Sequence, residues 1–76
     1  MSTTRDRIAA IAQGQGWTVA DHGNRRVGYV KGELRLFVNY DARGGITGGE
    51  VGTGGRRIEG RAKLEQVIRL LSRWTP

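Results

Sequence analysis

The sequence predicts an α+β domain of two layers, in the order α-β-β-β-β-α, with a four-stranded antiparallel meander that carries both helices on one face. Apolar residues alternate with polar ones in the segments that end at Tyr40, which is typical of strands with one buried face. The segments near both ends of the chain instead have apolar residues at helical spacing. A chain of 76 residues is expected to make a single domain, 1–76, near the lower limit for one self-supporting core.

The first helix is predicted to begin at a cap on Ser2 or Thr3 and to run to about Gln13. Thr3 and Asp6 have the spacing of a capping box, in which each side chain accepts a hydrogen bond from the other residue's backbone. Gly14 then supplies a backbone that readily leaves the helix. The apolar positions at helical spacing are Ile8, Ile11 and Ala12.

Three strands are predicted between Trp17 and Tyr40, joined by turns at residues 22–24 and 31–32. The first turn pairs Val19 with Val27, and the second pairs Tyr29 with Leu34. Directly opposed residues share a face, so both turns predict the same core face. Its members are Trp17, Val19, Val27, Tyr29, Leu34, Leu36, Val38 and Tyr40.

A fourth strand is predicted from about Gly45 to Val51. Strict alternation would turn Val51 outward and Glu50 inward, and a bulge at Gly48-Gly49 would correct this. The stretch 52–60 is too rich in glycine for a regular element, so it is predicted as a basic loop. The last helix is predicted from Arg61 to Trp74. Besides the strand residues above, the predicted core includes Ile8, Ile11, Ile46, Leu64, Val67, Ile68, Leu71 and Trp74.

The chain is strongly basic, with thirteen basic and seven acidic residues and a net charge of +6. Such a charge favours anionic partners, and eleven of the basic residues are arginine, whose planar fork suits phosphate. The alternative is that codon bias in a GC-rich genome explains the arginine preference. There is no cysteine, which excludes disulfides and thiolate metal sites, and no apolar run long enough for a membrane span. We expect a cytoplasmic protein.

Two candidate binding sites follow from this pattern. The first is the outward face of the second and third strands, where the predicted pairing sets Arg26 opposite Phe37 and Gly28 opposite Arg35. An aromatic ring flanked by guanidinium groups is suited to stack a base while the arginines hold phosphates. The alternatives are an exposed ring covered by arginine stems, or a ring buried in a dimer.

The second candidate site is the glycine-arginine loop that precedes the last helix, with Arg56, Arg57 and Arg61. Free amides at a helix N-terminus together with arginines favour an anion. The loop lacks the Gly-Lys-Ser/Thr of a Walker A motif, and a plain solvated loop is the alternative.

No catalytic or metal motif is present, so we expect a protein that is not an enzyme and that uses no metal and no cofactor. His22 is the only histidine and falls in a turn. Asp21, Asp41 and Glu33 fall at turns or strand ends, where carboxylates are ordinarily solvated or capping.

The order of helix, antiparallel strands, basic loop and helix resembles the double-stranded-RNA-binding domain in topology. Arg56, Arg57 and Lys63 lie roughly where that domain has its basic cluster. This chain departs from it in its fourth strand, in lacking the alanine-rich second helix and in the shortness of the loop His22-Gly23-Asn24.

A short helix followed by GWTV and GYVKGELRLFVNYDARGGI, in a chain rich in Arg, Gly and Ala, resembles small uncharacterised proteins of actinobacteria and their bacteriophages. The resemblance implies a small accessory protein that acts by binding in the host cytosol.

The function predicted from these observations is nucleic-acid binding, to DNA or RNA, through Arg56, Arg57, Arg61, Arg26, Arg35 and Phe37. The alternative is an accessory protein that modulates a host protein, or pairs with a second copy as a homodimer, through its sheet face or an edge strand. No membrane is expected among its partners.

Overall fold

The computed structural model of the chain describes residues 3–52 and 57–73. It confirms the α+β class, with two helices and one antiparallel sheet. The elements are α1 (Thr4–Gly14), β1 (Thr18–Asp21), β2 (Arg26–Lys31), β3 (Leu34–Tyr40), β4 (Ile46–Val51), β5 (Arg57–Ile58) and α2 (Lys63–Arg73). The predictions for Ser2, Arg56 and Trp74 fall on residues outside the described ranges.

The sheet has five strands in the order β1-β2-β3-β4-β5, so the prediction of four strands is wrong. The fifth strand arises within the stretch predicted as a loop, where Arg57 pairs with Glu50 and Ile58 with Gly49. Ile58 is the one apolar side chain between Gly52 and Gly60, and it is only 3% exposed. Burial of this side chain favours the strand, and two residues are too few to show an alternating pattern.

Both hairpins pair two residues further along than the sequence predicts, yet the same side chains face the core. Val19 lies opposite Tyr29, and Tyr29 lies opposite Leu36. The turn between β2 and β3 lies at Gly32-Glu33, with Gly32 at a φ of 61°. Since alternation along a strand has a period of two, a shift by two residues changes the partners and keeps the faces.

The outward pairs are corrected in the same way. Arg26 lies opposite Asn39 rather than Phe37, and Phe37 lies opposite Gly28, which was expected to face Arg35. The cause lies in the turns, where the choice of central residues sets the register.

The turn between β1 and β2 shows this directly. Its central residues Asn24 and Arg25 have φ values of 51° and 62°, and the Arg26 N–H donates to the Gly23 carbonyl over 3.0 Å. Two positive φ values in succession are the mark of a type I′ turn, which matches the twist of the flanking strands. The turn therefore begins one residue later than predicted.

The predicted bulge in β4 is confirmed, one residue earlier than expected. Tyr40 pairs with Ile46 and Asn39 with Gly48, so Thr47 is the extra residue. The bulge turns Val51 into the core, where it is 7% exposed, and leaves Glu50 on the outward face opposite Phe37.

The helices begin where local hydrogen bonding ends the preceding loop. The capping box of α1 is confirmed, since the Asp6 N–H donates to Thr3 Oγ1 and the Thr3 N–H donates to Asp6 Oδ2, each over 3.1 Å. Helix α2 begins at Lys63, because Arg61 and Ala62 form a turn. The described helices contain no span long and apolar enough to cross a membrane.

Both helices pack on one face of the sheet, as predicted. Trp17 ties β1 to the end of α2, because its Nε1–H donates to the Leu71 carbonyl over 2.9 Å in a buried position. Ala12, Val51 and Ile58 belong to the core although the sequence did not place them there. The buried residues are Ile8, Ala12, Trp17, Val27, Tyr29, Leu34, Leu36, Val38, Tyr40, Val51, Ile58, Val67 and Leu71.

Candidate functional site

The outer face of the sheet, which points away from the two helices, carries one row of side chains across all five strands. Directly opposed residues in this row are Ala20, Gly28, Phe37, Glu50 and Arg57. Arg57 is exposed and its neighbour Ile58 is buried, which places Arg57 on the outer face. The fifth strand therefore joins two candidate sites that the sequence kept apart, because Arg57 from the loop lies on the same face as Phe37.

The Phe37 ring lies low across the outer face because both flanking positions are glycines. A Cβ atom built on Gly28 would lie 3.4 Å from Phe37 Cε1, and one built on Gly52 would lie 3.5 Å from Cε2. Gly52 continues the pairing with β3, since its N–H donates to the Arg35 carbonyl over 2.9 Å. The two opposite edges of the ring thus rest above the neighbouring strands, and the ring is half-buried.

Arg26 crosses this ring from one strand to another. It begins on β2, its Cζ lies 4.7 Å from the centroid of Phe37 on β3, and its Nη2 is ion-paired with Oε1 of Glu50 on β4. Its Nη1 also donates to Asn39 Oδ1 over 3.5 Å. The side chains of Arg26 and Glu50 are 36% and 48% exposed, so solvent screens the pair and it contributes little to stability.

Arg35 and Arg57 complete what we call the outer patch, defined as Arg26, Arg35, Phe37, Glu50 and Arg57. Both of these arginines are exposed, and neither forms an ion pair within residues 3–52 and 57–73. The patch has three guanidinium groups against one carboxylate, so its charge is positive around an aromatic ring. Such a surface is suited to anions that also present a flat, stackable group.

His22 borders the outer patch, a position that the sequence did not predict. Its ring centroid lies 5.8 Å from that of Phe37 with the planes tilted by 54°. A Cβ on Gly28 would lie only 2.7 Å from His22 Nε2, so the missing side chain of Gly28 leaves room for the imidazole. The His22 N–H donates to the Arg26 carbonyl, which extends the β1–β2 pairing by one residue. The correct turn register would have predicted this placement.

Arg61 does not belong to the outer patch. It lines a groove of about 230 Å³ beside the helices, together with Thr4, Ile46, Lys63 and Leu64. The Lys63 Nζ donates to the Gly60 carbonyl over 2.7 Å, which fixes this side chain against the turn before α2. Of the predicted site residues, the structure brings together Arg26, Arg35, Phe37 and Arg57, while Arg56 lies outside the described ranges.

The remaining described arginines are spread over the molecule rather than clustered. Arg5 lies 5.6 Å from the Tyr40 ring centroid and 2.8 Å from Asp21 Oδ2, so it holds α1 against the sheet. Others lie on α1, on α2 and in the turns, namely Arg7, Arg69, Arg73, Arg25 and Arg43. This spread is what codon bias would produce, and the number of arginines alone therefore points to no site.

The ionisable groups away from the outer patch serve the fold. The Tyr29 and Tyr40 hydroxyls lie 2.7 Å apart in the core, and burial raises the pKa of both. The backbone N–H of Gly23 lowers the pKa of Asp21, and the N–H groups of Gly45 and Arg43 lower the pKa of Asp41. These bonds confirm that both aspartates order turns.

No family model, curated protein or solved structure matches this chain. The resemblances to double-stranded-RNA-binding domains and to small actinobacterial and bacteriophage proteins therefore stay predictions. In the part of the chain that the structure describes, no three His, Asp or Glu side chains are grouped so as to hold a metal ion.

Proposed function

We propose that this protein is a non-enzymatic binding module that contacts nucleic acid through the outer patch. The observation that supports the proposal best is the position of β5, which adds Arg57 to the sheet face that holds Arg26, Arg35 and Phe37. Three cations then surround one aromatic ring on a surface that neither helix covers.

The dimensions of the patch fit this use. Arg35 and Phe37 are two residues apart on one strand, which is about 6.8 Å, and Arg57 lies two strands from Phe37, which is about 10 Å. The arginines therefore lie on different sides of the ring, within reach of phosphates on either side of one nucleotide. Arginine binds such phosphates with two parallel hydrogen bonds.

The test is the salt dependence of binding, measured by fluorescence anisotropy with labelled single-stranded and duplex oligonucleotides at about 50 and 200 mM salt. Three phosphate contacts give a logarithmic slope of about −2.1 for a single strand, so we expect affinity to fall about 20-fold between the two conditions. The double variant Arg35→Gln/Arg57→Gln keeps one contact, and its affinity should fall only about 3-fold over the same range.

The matched control is Arg7→Gln/Arg43→Gln, which removes the same charge from exposed positions on α1 and in the β3–β4 turn. This variant should keep the slope of the unmodified protein. Absence of binding to every oligonucleotide at about 50 mM salt, or an equal loss of slope in both double variants, would refute the proposal.

A second candidate function is docking on a protein, either a host protein or a second copy of this chain. The strand order supports it, because β1 and β5 lie at the edges of the sheet and pair with another described strand on one side only. An edge strand is able to accept an added strand through its backbone. A protein retained after nuclease treatment, and retained equally by Arg35→Gln/Arg57→Gln, would favour docking at an edge. A nuclease-treated monomer that retains no partner would argue against it.

A further inference from the structure

We infer that the outer patch binds single-stranded nucleic acid by exchange, in which an unpaired base replaces the Arg26 guanidinium on the Phe37 ring. The inference rests on the proposed function and names the class of nucleic acid and the residues that select it. Three features carry it: the orientation of Phe37, the path of Arg26 and the position of Glu50.

The ring presents one face to solvent. Its edges at Cε1 and Cε2 rest above Gly28 on β2 and Gly52 beyond β4, so its lower face lies against the sheet. A larger residue at either position would stand beside the ring and wall it in. With glycine on both sides, the upper face is open to a flat group of the size of a base.

Arg26 occupies that upper face. Because the side chain starts on β2 and reaches Glu50 on β4, its guanidinium has to pass over the ring on β3. The distance of 4.7 Å from Cζ to the ring centroid agrees with a stacked cation. The contact shows that the ring accepts a planar group from the solvent side.

Glu50 holds the guanidinium in place and acts as an internal competitor for phosphate. It is the only carboxylate on the outer face of the described strands, and its partner Arg26 is the arginine nearest the ring. When a base stacks on Phe37, Arg26 is displaced toward the backbone of the bound strand and exchanges a carboxylate for a phosphate. Both members of the pair are well exposed, so little opposes this exchange.

A duplex cannot complete the exchange, because its bases are already stacked on one another and paired. The arginines still reach its phosphates, but Phe37 gains no partner. A sheet that supplies a single aromatic ring is therefore expected to favour strands whose bases are free to stack.

The test compares a labelled oligo(dT) strand with a blunt duplex of equal length. Phe37→Leu removes the π-face while keeping an apolar side chain, and we expect single-strand affinity to fall about 5- to 150-fold, the range given by the loss of one stacked base. Duplex affinity should change less than about 2-fold. Phe37→Tyr keeps the ring and should bind the single strand within about 2-fold of the unmodified protein.

Glu50→Gln supplies an independent arm of the same test. It releases Arg26 from its ion pair, so we expect tighter binding to the single strand and a salt slope steeper by about 0.7, the value of one more phosphate contact. Glu65→Gln makes the same change of charge on α2, on the other layer of the protein, and should leave the slope unchanged.

The outcomes are distinguishable. If the unmodified protein binds no nucleic acid, the proposed function itself fails, and the inference fails with it. If it binds and Phe37→Leu weakens single strand and duplex equally, or neither, the exchange is refuted while the proposed function stands. Should Phe37→Leu fail to fold, equal slopes for Glu50→Gln and Glu65→Gln refute the exchange on their own.

Discussion

The close approach of β3, β4 and β5 at Gly49 makes a sharp prediction about stability. Gly49 lies opposite Val38 on one side and Ile58 on the other, on the face of the sheet that carries the core. A Cβ atom built there would collide with the backbone carbonyl of Phe37 and would lie 3.3 Å from Ile58 Cδ1. Backbone in the middle of a sheet cannot move aside as a flexible side chain does. Gly49→Ala must therefore separate β3 from β4 or push Ile58 and β5 outward.

The adjacent glycine provides the control. For Gly48→Ala the nearest heavy atom to the new Cβ is the Ile58 carbonyl oxygen at 3.8 Å, an ordinary van der Waals contact. Neither glycine has a positive φ, so alanine is compatible with the backbone at both positions. Alanine also reduces the conformational entropy of the unfolded chain, which favours both variants equally.

We expect Gly49→Ala to lower the free energy of unfolding by about 3 kcal/mol, the cost of overpacking against rigid neighbours. Gly48→Ala should stay within about 0.5 kcal/mol of the unmodified protein. For a chain of 76 residues, 3 kcal/mol corresponds to a decrease in Tm of about 12–24 °C. Circular dichroism during heating, and urea titration at one temperature, measure the difference. If both variants melt together, the close packing of β4 against β3 and β5 is not as described.

Three further predictions concern the core and the titrating groups. Trp17→Phe should lower the free energy of unfolding by about 1–3 kcal/mol in urea titrations, because the Leu71 carbonyl loses a buried donor at 2.9 Å; an unchanged midpoint would contradict this. Burial raises the pKa of Tyr29 and Tyr40 in the folded state, so both stay protonated while the unfolded chain ionises; stability should fall as the pH rises above about 10, and Tyr40→Phe should make this fall shallower. The N–H groups of the β3–β4 turn lower the pKa of Asp41, so its contribution is present above about pH 4 and is lost as the pH falls further; Asp41→Asn should unfold with a weaker acid dependence between about pH 4 and 2.

The faces of the strands could be predicted from the sequence more reliably than their partners. Alternation fixes which side chains point to the core, and an error in either turn moved the register by two residues, which returns each side chain to its face. Val19, Tyr29 and Leu36 were therefore predicted to be buried on the correct side, although their opposite neighbours were not. The positive φ of Arg25, a residue that rarely adopts one, is what moved the first turn beyond its predicted place.

The fifth strand and the placement of His22 could not be predicted in this way. A two-residue strand has no period, and Ile58 is surrounded in sequence by glycines and charged residues that are typical of loops. Its burial depends on Gly49, seven or more residues earlier in the chain than any local pattern around Ile58 would include. Tertiary packing thus decides the element, and with it the position of Arg57.

The proposal for the outer patch therefore depends on arrangement and not on the number of arginines. Arg5 shows why number misleads, because it is as basic as Arg26 and yet joins α1 to Tyr40 and Asp21. Arg26 also contacts an aromatic ring and a carboxylate, but it does so on the exposed face, where a planar anion is able to replace it. The same side-chain chemistry serves the fold when it bridges two elements across the core edge. It is suited to a ligand when both of its partners remain open to solvent.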